Sequence, residues 1–427
     1  MLRVFRSAGH DVPALHRIVS LLLLLSIGVV AWWVLARAQD SGTAARFVQV
    51  RGRELVSPDG APIVTKGIGL GNWLVPEGYM FHFEKGPQST RHIEALVADL
   101  VGPDEARAFW AAWRDQYVTR DDLVLLKDAG FDTVRVPFTY RLFLDDEHGE
   151  TWHDEGFAPL DRAIGWAREL GLWIVLDMHG APGGQTGANI DDSTGTPWLF
   201  ESRESQDRMT LVWRRIAERY RSERAVLAYE LLNEPIAPYN DWKKYNDALQ
   251  PLYKQVTAAI RAVDPDHVIV LGGAQWNTEF GIFGPPFAMN LMYAFHKYWS
   301  AVTDVSIAPF TSFRERYDVP IWLGETGENT DAWIADMRTL AEKHGIGWAF
   351  WPYKKMDATS SVVSFDRPAG WDEVIALGKT SAFEYEARRT VRPSPDRARA
   401  ILRDLLANVR LDRCRRNEGY IRALTGR

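Results

Sequence analysis

The segment YELLNEP at residues 229–235 begins as an apolar run and ends in an amide, a carboxylic acid and a proline. Because proline cannot donate to a sheet ladder, Pro235 is predicted to end a strand and to leave Asn233 and Glu234 at its carboxyl end. A second segment, VPIWLGETG at residues 319–327, has the same pattern, with one glutamate set in a glycine-flanked turn. Two acids that each follow an apolar strand indicate one site built on two strand ends.

Apolar segments of this kind alternate with helical periodicity along the chain. Eight strands are predicted, at residues 63–70, 133–137, 173–179, the run ending at Glu234, 267–271, 291–298, the run ending at Glu325, and 347–353. Strands that alternate with helices form parallel sheets, and eight of them close into a ring with its active site at their carboxyl ends. The predicted fold is α/β, a (β/α)8 TIM barrel over residues 45–380, with a small hairpin at residues 47–56 plugging its bottom.

The amino terminus carries a membrane signal. Residues 18–36 are uncharged and apolar, and they follow a basic region at residues 1–17. As a helix the apolar run would span about 28 Å, close to the thickness of a bilayer core. It is predicted to be an uncleaved transmembrane anchor or a cleaved signal peptide, with residues 37–44 as a linker. The positive flank would place the remaining chain outside the cytoplasm, either membrane-anchored or secreted.

Residues 381–427 are predicted to form a helical extension. An Arg-rich helix begins near Ser394, and its apolar stripe should pack on the barrel or on a partner; the stripe consists of Ile401, Leu402, Leu405, Leu406 and Val409. The net charge of -6 gives no reason to expect a nucleic-acid partner. The single cysteine, Cys414, excludes an internal disulfide.

Several other chemistries are disfavoured. The sequence GIGLG at residues 67–71 follows a strand but is not followed by a helix, so it lacks the phosphate-binding helix terminus of a dinucleotide site. The ten histidines form no His-Glu-x-x-His cluster, and no Gly-x-Ser-x-Gly elbow occurs. We therefore expect no metal and no cofactor. The eighteen tryptophans are numerous enough to supply both a core and flat faces for sugar rings.

Two carboxylic acids suffice to hydrolyse a glycosidic bond. One acid donates a proton to the leaving oxygen, and the other acts as a carboxylate on the opposite side of the sugar. A single glutamate at a strand end is more often a surface charge or a helix cap. Two glutamates in apolar strand contexts, Glu234 and Glu325, favour a catalytic pair.

Here the sequence resembles a known family. Asn233-Glu234-Pro235 resembles the acid/base motif of glycoside hydrolase family 5, and Gly324-Glu325 resembles its nucleophile motif. The resemblance covers most of residues 60–355. It implies that Glu234 is the general acid/base, that Glu325 is the nucleophile and that the anomeric configuration is retained.

The same resemblance implies further substrate-binding residues. Asn233 would bind the sugar 2-hydroxyl, and His296 and Tyr298 match a His-x-Tyr pair in which the tyrosine touches the nucleophile. His179 matches a histidine of the third strand. Trp351 would form the floor of the sugar site, with Trp348 and Tyr353 as alternatives.

Arg135 is predicted from its setting to pair with a carboxylate. It lies in the strand TVRVP, where an unpaired guanidinium would be costly to bury. Glu325 is one candidate partner, and Glu230 inside the barrel is the other.

Within the family the sequence is most similar to the exo-β-1,3-glucanase branch. GNWLVPE at residues 71–77 resembles the loop in which a glutamate, here Glu77, binds the non-reducing sugar. HGAPGGQ at residues 179–185 continues the likeness, which implies Asp191 or Asp192 as further hydroxyl-binding groups. The sequence departs from the branch at residues 351–356, so linkage and cleavage mode stay open.

The predicted function is that of a retaining β-glycosidase acting outside the cytoplasm on a β-glucan or related polysaccharide. The alternatives are a transglycosylase, a glycolipid-directed glycosidase and a non-catalytic carbohydrate-binding barrel.

Overall fold

The computed structural model describes residues 46–145, 151–239 and 241–427. In this part of the chain eight parallel strands close into a barrel, in which each strand pairs with its neighbours in sequence and the eighth pairs with the first. The strands are Lys66–Gly69, Thr133–Thr139, Trp173–Gly180, Val226–Glu230, Val268–Gly272, Leu291–His296, Ile321–Gly327 and Gly347–Trp351. The predicted (β/α)8 barrel is confirmed.

Amphipathic helices cover the outside of the barrel and turn their apolar faces towards it. They are Thr90–Val101, Pro103–Gln116, Arg120–Ala129, Phe157–Leu170, Arg203–Tyr220, Asn246–Arg261, Asp304–Tyr317, Asp331–Lys343 and Trp371–Lys379. Local sequence sets their ends. In helix Arg120–Ala129 the Asp122 carboxylate accepts a hydrogen bond from the Thr119 backbone N–H at 2.7 Å, which caps the start of the helix, and Gly130 ends the helix at φ 100°.

The lower interior of the barrel is filled by apolar side chains from several strands. Val175, Val270, Met292 and Trp322 pack there with Leu55 of a small antiparallel sheet and with Val48, which precedes its first strand. That sheet consists of Gln49–Arg51, Glu54–Val56 and Pro62–Ile63. The predicted hairpin is thus present. The third strand of the sheet includes Ile63, which the sequence pattern had placed in the first barrel strand.

Three strand ends differ from the prediction. The fourth strand ends at Glu230, so Glu234 lies in the loop beyond it, where it adopts a left-handed φ of 41°. Pro235 therefore does not end the strand. The sixth strand ends at His296, which leaves Tyr298 in the following loop, and the seventh strand continues past Glu325 to Gly327.

The carboxyl-terminal residues form helices Tyr385–Val391, Pro395–Asn408 and Glu418–Thr425. Ile401, Leu402 and Leu405 are buried, and their helix packs against helices Thr90–Val101 and Pro103–Gln116. The predicted apolar stripe thus packs on the barrel itself. Residues Phe47–Arg427 form one compact unit, which includes this extension.

The predicted membrane segment at residues 18–36, with its flanks at 1–17 and 37–44, lies outside the described residues. Within the described ranges, we find no helix that combines the length and the apolar character needed to cross a bilayer.

Candidate active site

A cavity of about 690 Å³ contains most of the predicted site residues, which the barrel strands and the loops after them deliver to its walls. Those that line it are Glu77, His179, Asn233, Glu234, His296, Tyr298, Glu325 and Trp351. Asn233 and Glu234 come from the loop after the fourth strand, and Glu325 comes from the seventh. Residues far apart in the chain thus meet because the strands of the barrel are parallel and end on the same side.

Glu325 is held by a donor on each carboxylate oxygen. The Arg135 guanidinium donates from Nη1 to Oε2 at 2.6 Å, and the Tyr298 hydroxyl donates to Oε1 at 2.8 Å. Hydrogen bonds of this kind orient a carboxylate. The predicted contact between Tyr298 and Glu325 is confirmed.

Arg135 is fully buried and binds three carboxylates. Its Nε and Nη2 donate to Glu230 at 2.6 and 3.0 Å, and Nη2 lies 3.1 Å from Asp177. Burial opposes the charge, but the carboxylates of Asp177, Glu230 and Glu325 outweigh it and hold the pKa of Arg135 well above its usual range. Both partners considered from sequence, Glu325 and Glu230, are therefore bound at once.

Glu234 lies in an environment that favours its protonated form. Burial, followed by the nearby charge of Glu325, raises its pKa well above that of an ordinary glutamate. Its Oε1 lies 2.8 Å from Nδ1 of His296. Burial and the charge of Arg135 lower the pKa of His296 well below its usual value, so this histidine is neutral and does not supply a cation to Glu234. Glu234 is thus suited to carry a proton at neutral pH.

The two glutamates lie close together. Among the described residues, one ligand atom each of Glu234, His296 and Glu325 falls within 4.8 Å of the others. A carboxylate–imidazole–carboxylate set could hold a metal ion. Here, however, the Arg135 guanidinium lies 2.6 Å from Glu325 and would repel a second cation bound there. The arrangement favours proton transfer and nucleophilic chemistry, and the absence of a metal stays a prediction.

His179 and Trp351 form a parallel pair on another wall of the cavity. Their ring centroids are 5.5 Å apart with an interplanar angle of 4°. His179 Nδ1 lies 2.7 Å from Asp177, and Nε2 lies 3.7 Å from Glu77. Burial works against a charge on this ring, but Asp177 and Glu77 together raise its pKa to about 10. The histidine is therefore cationic and connects Glu77 to the carboxylate that also holds Arg135.

Asn233 is fixed by the same network. Its Oδ1 accepts a hydrogen bond from Arg135 Nη2 at 2.8 Å. The amide is therefore held at the cavity wall beside the two glutamates.

Residues 99–357 match the family model for Cellulase (glycosyl hydrolase family 5). This protein belongs to glycosyl hydrolase family 5. A Beta-xylosidase from Phanerodontia chrysosporium is 30% identical over 360 residues, covering 75% of this chain and 74% of the relative. Endoglucanase C from Acetivibrio thermocellus is 28% identical over 305 residues, covering 57% of this chain and 86% of the relative. "Probable glucan 1,3-beta-glucosidase A" from Aspergillus fumigatus is 32% identical over 219 residues, covering 51% of each chain.

In this family 5 enzyme, two glycines explain how the Trp351 indole fits beside the first strand. A Cβ added to Gly69 would lie 2.7 Å from the indole, and one added to Gly71 would come closer still. The indole N–H donates to the Tyr79 hydroxyl at 2.7 Å. Gly69 and Gly71 therefore leave the space that the Trp351 indole fills.

The two alternatives to Trp351 lie elsewhere. Trp348 is buried in the core, and the Tyr353 hydroxyl donates to Asp122 at 2.5 Å. Of the three aromatic candidates, Trp351 is the one that lines the cavity.

Gly71→Ala is expected to displace this indole. Overpacking of a tight site costs roughly 1–3 kcal/mol, and a shifted stacking surface should raise KM for a glycoside about tenfold with a smaller change in kcat. Steady-state kinetics and thermal unfolding measure both effects. Gly284→Ala is the matched control because a methyl group there meets open space. Unchanged KM in a folded Gly71→Ala variant would contradict the assignment.

The structure does not place Asp191 and Asp192, predicted as hydroxyl-binding groups, among the residues that line the cavity. Asp191 accepts hydrogen bonds from the backbone N–H groups of Thr186 and Gly187 at 2.9 and 3.0 Å. Asp192 accepts from the Thr139 hydroxyl at 2.9 Å and forms ion pairs with Arg91 and Arg141. Both carboxylates are occupied in fixing the loop after the third strand.

Several cavity residues of this family 5 enzyme were not found from sequence. Trp276, Trp299 and Tyr79 add aromatic surface, and Lys355 forms an ion pair with Glu328 on the wall. Tyr79 lies two residues after Glu77, directly beyond the segment at residues 71–77 that resembles a sugar-binding loop. That proximity is the sequence signal from which it could have been predicted. The others follow barrel strands at positions whose side-chain direction the sequence does not specify.

Proposed function

We propose that the protein is a retaining β-glycosidase that hydrolyses O-glycosidic bonds of a β-glucan or related polysaccharide by double displacement. The proposal rests on the spacing of Glu234 and Glu325, whose oxygens approach within 4.8 Å across the cavity. Retaining glycosidases hold their carboxyl groups about 5–5.5 Å apart, whereas inverting enzymes need roughly 6.5–9.5 Å to admit a water. The short spacing supports direct attack by one carboxylate on the sugar.

In the first step Glu325 is the nucleophile and Glu234 is the general acid. A bond forms between a Glu325 oxygen and the anomeric carbon while the bond from that carbon to the leaving oxygen breaks. The proton of Glu234 passes to the leaving oxygen. Arg135 and Tyr298 orient the attacking carboxylate through the two hydrogen bonds described above.

In the second step Glu234 becomes the general base. Once Glu325 is esterified, its negative charge no longer raises the pKa of Glu234, so the deprotonated form becomes accessible. Glu234 then takes a proton from water, the water oxygen attacks the anomeric carbon, and the Glu325 carboxylate leaves. One residue thus serves as acid and as base because the charge of its neighbour changes between the steps.

The remaining residues are assigned to sugar binding. Trp351 offers a flat face for stacking, and Asn233, His179, Glu77 and His296 supply polar groups around it. The relatives carry names that refer to β-xylosides, glucans and 1,3-β-glucans, which supports a β-linked polysaccharide as the substrate class. The pattern at residues 18–36 supports action outside the cytoplasm, where such polymers occur.

The stereochemical course tests this mechanism. Hydrolysis of an aryl β-glucoside or aryl β-xyloside, followed by proton NMR, is expected to give the β-anomer first, with the α-anomer appearing only by mutarotation. Laminarin, cellulose derivatives, mannan and xylan screened alongside would define the polymer. Initial formation of the α-anomer would exclude double displacement, and turnover of none of these substrates would overturn the substrate class.

A further inference from the structure

One wall of the cavity is built on a sheet outside the barrel. Trp351, Lys355 and Ser360 all line the cavity and all lie at or beyond the end of the eighth strand. There the strand Lys354–Met356 pairs with Val363–Phe365, which in turn pairs with Arg415–Arg416 of the carboxyl-terminal extension. The extension therefore supplies the outer strand of the sheet that carries this wall.

Tyr420 connects the extension to the sugar floor. Its side chain is 1% exposed, and its hydroxyl donates to the backbone carbonyl of Trp351 at 3.0 Å. Burial raises the pKa of Tyr420 well above its usual value, so the phenol remains a donor at any working pH. On the other side, the same carbonyl faces Gly327, where a Cβ would collide with it. The position of the Trp351 backbone is thus defined from both sides.

Asn417 fixes the loop that follows. Its side-chain Nδ2 donates to the carbonyl of Ser361 at 2.8 Å, and its backbone N–H donates to the carbonyl of Val362 at 3.0 Å. Lys354, fully buried, adds a third connection by donating to the carbonyl of Val409 at 2.8 Å. These contacts tie the extension to both ends of the segment that carries Lys355 and Ser360.

We propose that Tyr420 and Asn417 are positioning residues for sugar binding, which act through the backbone of Trp351 and the loop at residues 358–362. The inference rests on the proposed function, in which Trp351 stacks on the sugar. Stacking depends on the tilt and height of the ring. The surrounding residues must therefore hold the side chains that contact the ligand to within about 0.5 Å of their productive positions. The extension is thereby a part of the active site and not an appendage to the barrel.

Tyr420→Phe in the full chain removes the hydroxyl and keeps the buried ring. If the indole is held less firmly, ground state and transition state lose the same stacking, so KM for an aryl β-glycoside should rise about tenfold with kcat changed by less than about twofold. Tyr385→Phe, an exposed tyrosine of the same extension, is the matched control and should behave as wild type. Asn417→Ala should raise KM in the same direction.

A purely structural role predicts a different result: a lower melting temperature with wild-type KM and kcat in the folded enzyme. That outcome would overturn the inference. Indole fluorescence during titration with cellobiose or laminaribiose provides a second readout, because the Tyr420→Phe variant should bind the disaccharide about tenfold more weakly. Failure of the proposed function would show instead as an absence of turnover in the wild type. In that case the disaccharide titration would still compare the binding affinity of Tyr420→Phe with that of its control.

Discussion

Replacing Glu325 by glutamine is expected to lower kcat by on the order of 10⁴-fold or more, as loss of the nucleophile does in other covalent hydrolases. The amide cannot form the glycosyl ester, so the first step stops. The fold should survive, because Arg135 keeps Glu230 and Asp177 as partners and the amide oxygen still accepts one hydrogen bond. Turnover of an aryl β-glucoside and calorimetric titration with an oligosaccharide measure the two properties separately.

The combined result distinguishes an enzyme from a sugar-binding barrel. A glycosidase should lose turnover and still bind, whereas a non-catalytic binder has no turnover to lose in the wild type. Glu315→Gln, the same substitution at an exposed glutamate of helix Asp304–Tyr317, is the control and should keep wild-type kinetics. Turnover within tenfold of wild type in the Glu325→Gln variant would remove this residue from the role of nucleophile.

The architecture was predictable because its signals are local. Apolar runs and helical periodicity each occupy one short window of sequence, and eight strands that alternate with helices leave few topologies other than a closed barrel.

The loop after the fourth strand shows where local reasoning fails. Glu234 and Ile236 adopt left-handed φ values of 41° and 60°, unusual for residues other than glycine. Distant contacts hold this loop, including the hydrogen bond from the Ile236 N–H to the Gln185 carbonyl at 2.9 Å.

The site was predictable where residue type and strand position restrict the partner. Arg135 in an apolar strand had to meet carboxylates, and Glu325 and Glu230 were correctly considered. Asp177 was missed, although it lies two residues before His179 on the same strand and contacts both His179 and Arg135. Asp191, predicted to bind a sugar hydroxyl, instead accepts hydrogen bonds from backbone N–H groups of its own loop. An acid in a loop can face a substrate or its own backbone, and only the folded loop decides between them.

The contribution of the carboxyl-terminal extension could not be predicted from its own sequence. The apolar stripe indicated that its helix packs on something, and that packing was found. The contact from Tyr420 to Trp351 joins residues 69 positions apart through one hydroxyl group and one carbonyl. No periodicity or motif in either segment encodes such a pairing.

Glu234→Ala is expected to have the second large effect, and its size should depend on the leaving group. For a polysaccharide or an alkyl glycoside, loss of the proton donor should lower kcat/KM by about 10²–10⁴-fold. A dinitrophenyl β-glycoside needs no protonation to leave, so its first step should proceed and the glycosyl-enzyme should accumulate. Sodium azide attacks that intermediate without a general base, and it should restore turnover and yield the β-glycosyl azide.

The pH dependence of the same variant gives an independent check. Glu234 must be protonated in the first step, and its pKa is raised in the free enzyme by burial and by Glu325. Wild-type kcat/KM should therefore be retained below that raised pKa and fall as pH increases through it. In Glu234→Ala with the activated substrate this alkaline limb should disappear, because no proton is donated. Persistence of the alkaline limb, or an azide product of α-configuration, would assign the proton to another group. Loss of the limb together with a β-azide product requires that Glu234 donate the proton and that a second carboxylate carry the sugar.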